Sequence, residues 1–191
     1  MGTLETPSDG GNEMSRVEVT IAGVGGQGSI LAGQILGAAA VMYDGKYAAQ
    51  TQAYSSELRG GFAAAWLIIC ENPVVFPRVT HPDVLVAQAQ DSITRFASGL
   101  KPAGTLIIDS DMVTEPPGGA GRLYKVAATT ISRNRLNAPM TANMVILGAF
   151  CRVTEVVSRE ALEKAIRDSV PQGKDKINLE AFDAGYQSVA G

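Results

Sequence analysis

The residues of this chain whose types and spacing could do chemistry begin at Gly23-Val24-Gly25-Gly26-Gln27-Gly28. The run has the G-x-G-x-x-G pattern. It follows a β-type segment, Val17 to Ala22, and opens an apolar-periodic segment from Ser29, the strand-loop-helix context the pattern requires. Glycine tolerates positive φ and lets a ligand come close to bare backbone N–H groups at a helix N-terminus, where the helix dipole favours an anion. The loop is therefore a candidate cradle for a phosphate-bearing ligand. A dinucleotide site also needs an acid about 20 residues further on. That stretch is Ala48-Ala49-Gln50-Thr51-Gln52, with no acid and no arginine. A nicotinamide cofactor thus lacks its second contact; a purely structural turn and a different phosphate ligand stay open.

A second polar cluster lies at Ser55-Ser56-Glu57-Leu58-Arg59-Gly60-Gly61. Ser56, Glu57, Arg59 and Gly60 are its candidate binding residues, because Arg holds phosphate or carboxylate bidentately and paired glycines admit a close backbone. A solvated loop with a weak Glu57–Arg59 pair is the plainer alternative. Asn143 sits in the apolar run Thr141 to Gly148, and a buried Asn without partners costs about 1–3 kcal/mol, so a loop backbone or a ligand amide should meet it. The single histidine, His81, has no nucleophile in its segment and is expected to bond locally to Asp83. Asp109 and Asp111 read as turn caps rather than metal ligands. No residue is expected to be catalytic and none to ligate a metal.

These residues need a frame. Val84 to Ala87 and Thr105 to Asp109 are continuous apolar runs, as in parallel strands covered on both faces. Phe62 to Cys70 is a strong apolar strand, Lys46 to Ala49 and Leu123 to Val126 are short ones, and Gln50 to Gly61 reads as loop. Helices are expected at about Ser29–Tyr43, Asp91–Phe96, Thr141–Cys151, Ser158–Asp168 and Ile177–Ala190, with Ser158 as an N-cap. Alternating strands and helices imply an α/β fold, Rossmann-like and doubly wound, with a mainly parallel sheet and helices on both faces. Residues 1–14 read as a disordered leader and 15–191 as one domain.

Composition narrows the function. A net charge of −3 gives no bulk attraction to nucleic acid, and no apolar run reaches the roughly 20 residues of a membrane span. Charged residues make up only 18 %, below the usual quarter, so part of the surface can be shared with other chains or the core is simply tight. The two cysteines, Cys70 and Cys151, match no metal spacing and read as buried free thiols of a cytoplasmic protein. An iron–sulfur cluster needs about four cysteines, so this chain cannot hold one alone.

In this order, Gly23–Gly28, Glu57-Leu58-Arg59-Gly60-Gly61, Pro82–Ala87, Gly104–Ser110, Asn143–Gly148 and Lys176-Ile177-Asn178 through Gly185-Tyr186 resemble the gamma subunit of the 2-oxoacid:ferredoxin oxidoreductases. The likeness extends from about Arg16 to Gly185. It departs at Tyr54-Ser55-Ser56-Glu57, where many members have Tyr-Gly-Pro-Glu. The resemblance implies a multi-subunit enzyme that decarboxylates a 2-oxoacid oxidatively to an acyl-CoA and passes electrons to ferredoxin. It implies thiamine diphosphate with magnesium, and iron–sulfur clusters, on partners: alpha and beta thiamine-binding subunits and a ferredoxin-like subunit. It further implies that the glycine loop receives the phosphates of coenzyme A at Gly25, Gly26, Gln27, Gly28 and Ser29, with Glu57 to Gly61 and Asn143 nearby. A non-catalytic assembly subunit, or a stand-alone NAD-binding dehydrogenase, are the alternatives.

Overall fold

The computed structural model describes residues 16–55, 61–119 and 121–189. The apolar runs become strands β1 (Val17–Val24), β2 (Tyr47–Tyr54), β3 (Phe62–Cys70), β4 (Val84–Ala87), β5 (Thr105–Asp109) and β6 (Arg122–Val126) of one sheet, in the order β2-β3-β1-β4-β5-β6. β1, β4, β5 and β6 pair in parallel, with Val19 opposite Val84 and Val84 opposite Thr105. β3 is antiparallel to both β1 and β2, so it alone runs against the other five. The sheet is mainly parallel, as expected, with one reversed strand. Its reversal follows from the short β2–β3 connection, which can join only antiparallel neighbours.

Helices cover both faces unequally. Val19, Ile21, Leu67, Ile69, Val84, Val86 and Ile107 pack under α1 (Ser29–Ala38), α4 (Ala142–Thr154), α5 (Arg159–Ser169) and α6 (Asp175–Ser188). Leu85, Ala87, Leu106 and Ile108 face the other way, toward Ile93 of α2 (Gln90–Phe96) and toward Val113. β4 and β5 are thus apolar on both sides, which is why their sequences do not alternate. α3 is one short turn, Ala128–Thr130, and α1 continues into a wider π-type turn, Ala39–Tyr43.

Three glycines set the helix packing. A Cβ on Gly33 would lie 2.7 Å from that of Ala65, so α1 can cross β3 closely only because residue 33 has none. Where α4 crosses α6, a Cβ on Gly148 would strike the Phe182 carbonyl and one on Gly185 the Val145 carbonyl. The two family-like segments of the C-terminal half therefore meet at this crossing. Ser158 caps α5 as expected, its Oγ accepting from the Ala161 amide at 3.2 Å.

One element departs from expectation. Gln50 to Tyr54 is not loop; it extends β2 to eight residues paired with β3 from Tyr47–Cys70 to Tyr54–Ala63. β2 is the edge of the sheet and half-exposed, so Gln and Thr suit it, and their polarity resembles that of a loop.

Candidate functional site

The glycine run sits at the carboxyl end of β1, above the middle of the sheet, and is held by side chains that turn inward. The Val24 amide donates to Gln27 Oε1 at 2.8 Å, and Gln27 Nε2 donates to the Gln88 carbonyl at 2.9 Å. Gln88 returns the bond, its Nε2 reaching the Gln27 carbonyl at 3.3 Å, and its Oε1 accepts from Ser29 Oγ at 2.7 Å. Gln88 follows β4 directly, and its amide donates to the Ala22 carbonyl at 2.8 Å. Gly23 makes room for this lattice, since a Cβ there would lie 2.5 Å from Gln27 Oε1 and 2.7 Å from Ser29 Oγ. The side chains of Gln27 and Ser29 therefore brace the loop; what they could offer a ligand is backbone.

The outer surface of the loop is bare peptide. Gly25 and Gly26 are exposed, and Gly26 and Gly28 have φ of 93° and 76°, left-handed values that favour glycine. A Cβ on Gly26 would meet nothing within 4 Å, so there is open space in front of it. The Gly25 amide donates to the Gly61 carbonyl at 2.8 Å. Among the described residues, the amides of Gly26, Ser29, Ile30 and Leu31 find no acceptor. The first turn of α1 has neither an acidic residue nor a side-chain cap. Uncompensated N–H groups and a helix dipole at one spot suit an anion.

Asn143, at the start of α4, closes the loop from behind. It is only 4 % exposed, and its Nδ2 donates to the Gly28 carbonyl at 3.4 Å. Its Oδ1 is buried with no hydrogen-bond partner. A Cβ on Gly28 would lie 2.4 Å from Asn143 Nδ2, so glycine and asparagine fit as a pair. The structure thus gathers Gly25, Gly26, Gln27, Gly28, Ser29 and Asn143 at one end of the sheet. Ser55 and Gly61 flank them, the Ser55 amide donating to the Phe62 carbonyl at 2.9 Å. Ser56, Glu57, Arg59 and Gly60 lie outside the described residues.

An open groove of about 890 Å³ runs beside this site, walled by Leu31 of α1, the segment Leu136–Thr141 and the start of α6 with Lys174, Lys176 and Ile177. The other chemical candidates have local work. His81 Nδ1 faces the Gly99 carbonyl at 3.3 Å, not Asp83, whose carboxylate accepts from Lys101 Nζ at 2.7 Å and the Glu18 amide at 2.9 Å. Asp109 is buried and caps the turn after β5, accepting from Thr129 Oγ1 at 2.6 Å and the Asp111 amide at 3.1 Å. Its burial pushes the carboxyl pKa up while those bonds pull it down. Cys70 and Cys151 are buried free thiols. Among the described residues no group of three or more His, Cys, Asp or Glu could hold a metal, and no helix is long and apolar enough to cross a membrane.

Gln88 is the site residue that the sequence reading missed. The available signal was a polar residue ending a continuous apolar strand beside the expected ligand edge; its partner is 61 positions away in the chain.

Comparison with known proteins agrees with this fold. The family model described as pyruvate ferredoxin/flavodoxin oxidoreductase matches residues 18–188. Subunit KorC of 2-oxoglutarate synthase from Methanocaldococcus jannaschii is 43% identical over 174 residues, which cover 90% of this chain and 93% of that protein. The crystal structure of the gamma subunit of a keto/oxoacid ferredoxin oxidoreductase from Geobacter sulfurreducens superposes with a TM-score of 0.83 at 38% identity. It covers 91% of this chain and 96% of its own. A 2-oxoglutarate:ferredoxin oxidoreductase from Magnetococcus marinus, solved with 2-oxoglutarate, coenzyme A and succinyl-CoA bound, gives 0.81 at 22% identity. That likeness covers 92% of this chain and 31% of the larger one, and bears on fold alone. The chain belongs to the pyruvate ferredoxin/flavodoxin oxidoreductase family. Within it, the chain is of the gamma-subunit type, one part of a multi-subunit 2-oxoacid:ferredoxin oxidoreductase.

Proposed function

We propose that this subunit binds coenzyme A at the glycine loop and presents its thiol to the acyl group that partner subunits generate from a 2-oxoacid. The net reaction breaks the bond between the carboxylate and the 2-oxo carbon, joins the thiol sulfur to that carbon, releases carbon dioxide and protons, and passes the electron pair to ferredoxin or a similar acceptor. Thiamine diphosphate with magnesium, and iron–sulfur clusters, supply the decarboxylation and electron transfer on the alpha, beta and ferredoxin-like partners. The contribution of this chain is proximity and orientation, not acid–base catalysis.

The observation that carries this reading is the bare peptide face at Gly26 and the first turn of α1. It has unaccepted N–H groups, left-handed glycines and open space in front. A pyrophosphate matches that chemistry, and the apolar groove alongside, with Lys174 and Lys176 on its rim, suits the remaining arms of coenzyme A. Ser56, Glu57, Arg59 and Gly60 would complete the cradle from the β2–β3 connection. The name of the 43% identical relative favours 2-oxoglutarate as the acid.

Gly26→Asp tests the loop in the assembled complex. It adds a carboxylate where phosphate should lie, with no steric conflict. The apparent KM for coenzyme A should rise about tenfold or more, which is about 1.4 kcal/mol, with the KM for the 2-oxoacid unchanged. Gly26→Ala measures the backbone strain alone. An unaltered KM for coenzyme A in Gly26→Asp refutes the assignment.

A further inference from the structure

We infer that the free edge of β2 is a docking strand, on which a thiamine-binding partner subunit adds an extended segment of its own backbone. The inference rests on the reading above, in which this chain works beside such a subunit, and adds where the contact is made.

The hydrogen-bond phase of the hairpin identifies the free groups. The Ser55 amide donates to the Phe62 carbonyl, so residues 55 and 62 form a hydrogen-bonded pair. Antiparallel ladders alternate, so Ala53, Thr51 and Ala49 also direct their peptide groups at β3. Ala48, Gln50, Gln52 and Tyr54 then direct theirs outward. Among the described residues no strand lies beyond β2. Four N–H donors and four carbonyl acceptors therefore stand in register along one straight edge. The chemistry that satisfies such a row is another strand.

The two edges of the sheet are built differently. β6 is five residues long and carries Arg122 and Lys125, the guard charges by which proteins keep edges from pairing. β2 is eight residues, Tyr47-Ala48-Ala49-Gln50-Thr51-Gln52-Ala53-Tyr54, with no charge, proline or glycine. Large apolar groups flank it and stay open to solvent: Tyr54 is 70 % exposed, Tyr47 46 % and Met42 70 %. An edge left unguarded over its full length, in a sheet whose other edge is guarded, is an edge kept for pairing.

Position supplies the occupant. β2 ends at Tyr54, and the hairpin it enters returns at Gly61, whose carbonyl accepts the Gly25 amide of the glycine loop. A segment added to β2 therefore runs up to the proposed coenzyme A site. Because that site must face the thiamine diphosphate of another subunit, the chain beside it should belong to that subunit.

Gln52→Pro is the discriminating variant. Proline here deletes an outward N–H and puts a ring in the path of an added strand, and it removes no bond to β3. The isolated variant should fold with the wild-type circular dichroism spectrum, while its affinity for co-expressed thiamine-binding subunits falls at least about tenfold. Hydrogen exchange on the wild type gives an independent reading should the variant misfold. The amides of Ala48, Gln50, Gln52 and Tyr54 should exchange freely in the isolated chain and at least about tenfold more slowly in the complex. Unchanged exchange at these amides on assembly overturns the inference, as does wild-type assembly by Gln52→Pro. A dimer of the isolated chain that Gln52→Pro abolishes also overturns it, with a second copy as the occupant. If the wild-type chain binds no thiamine-binding subunit at all, the functional reading itself fails.

Discussion

Gly28→Ala puts a number on the coupling between the glycine loop and α4. Gly28 has φ of 76°, and the left-handed region costs an alanine about 1–2 kcal/mol. The new Cβ would also lie 2.4 Å from Nδ2, 2.9 Å from Cγ and 3.3 Å from Cβ of Asn143. Asn143 is 4 % exposed, so the side chain cannot simply swing into solvent. It must shift, losing its bond to the Gly28 carbonyl while its Oδ1 already has no partner. A buried amide deprived of its last bond costs about 1–3 kcal/mol. The two terms together predict a loss of about 2–5 kcal/mol, measured by urea unfolding of the isolated chain. The Asn143→Ala background separates them, because the clash with Nδ2 and Cγ is gone there and the backbone term remains, with only the 3.3 Å contact to Cβ beside it. Gly28→Ala should then cost about 1–2 kcal/mol, a coupling of about 1–3 kcal/mol between the two sites. Equal cost in both backgrounds would show that Asn143 does not brace the loop. A cost below about 1 kcal/mol in the wild type would refute the left-handed strain as well.

The bracing lattice predicts that Gln88→Ala destabilises the chain by about 1–3 kcal/mol in the same unfolding assay, since it strips partners from Ser29 Oγ and the Gln27 carbonyl at once. It should also raise the KM for coenzyme A in the complex, and Gln88→Glu, which keeps the acceptor for Ser29, should fall between alanine and wild type. Burial pushes the Cys151 thiol up to about 11 from an ordinary 9.0, so the native state keeps a proton that the unfolded chain releases first. The stability this contributes is complete below about pH 9 and is lost as pH rises toward 11, a fall of about 2 kcal/mol in wild type relative to Cys151→Ala. Unfolding midpoints that stay parallel for the two proteins from pH 8 to 11 would contradict it.

What the sequence made legible depended on whether a residue's partners were local. β4 and β5 stand out because strands buried on both faces must be almost continuously apolar. Ser158 was legible as a cap because its partner is the amide three residues on. Gln50 to Tyr54 was not, because an edge strand has one wet side and takes the residue types of a loop. Gln27 and Ser29 were legible as members of the loop but not in their orientation, which Gln88 sets from just beyond the end of β4. The same holds for Asp83, which sits beside His81 in sequence yet spends its carboxylate on Lys101 and on the Glu18 amide of β1.

The reversed strand explains why a dinucleotide-type glycine pattern occurs here without its acid. In a nucleotide-binding sheet of the usual order, the strand beside β1 on that side runs parallel to it. Its carboxyl end then carries the residue that holds a ribose. Here β3 occupies that place and runs the other way, with Val24 opposite Phe62. The corner beside the glycine loop is therefore the beginning of a strand, filled by Gly61, whose carbonyl is already committed to the Gly25 amide. A ribose carboxylate has no strand end to stand on. The backbone half of the pattern survives intact, because it depends only on β1, two left-handed glycines and the N-terminus of α1. On the coenzyme A proposal, ligand selection falls to the groove along α1 and to whatever backbone completes the edge of β2.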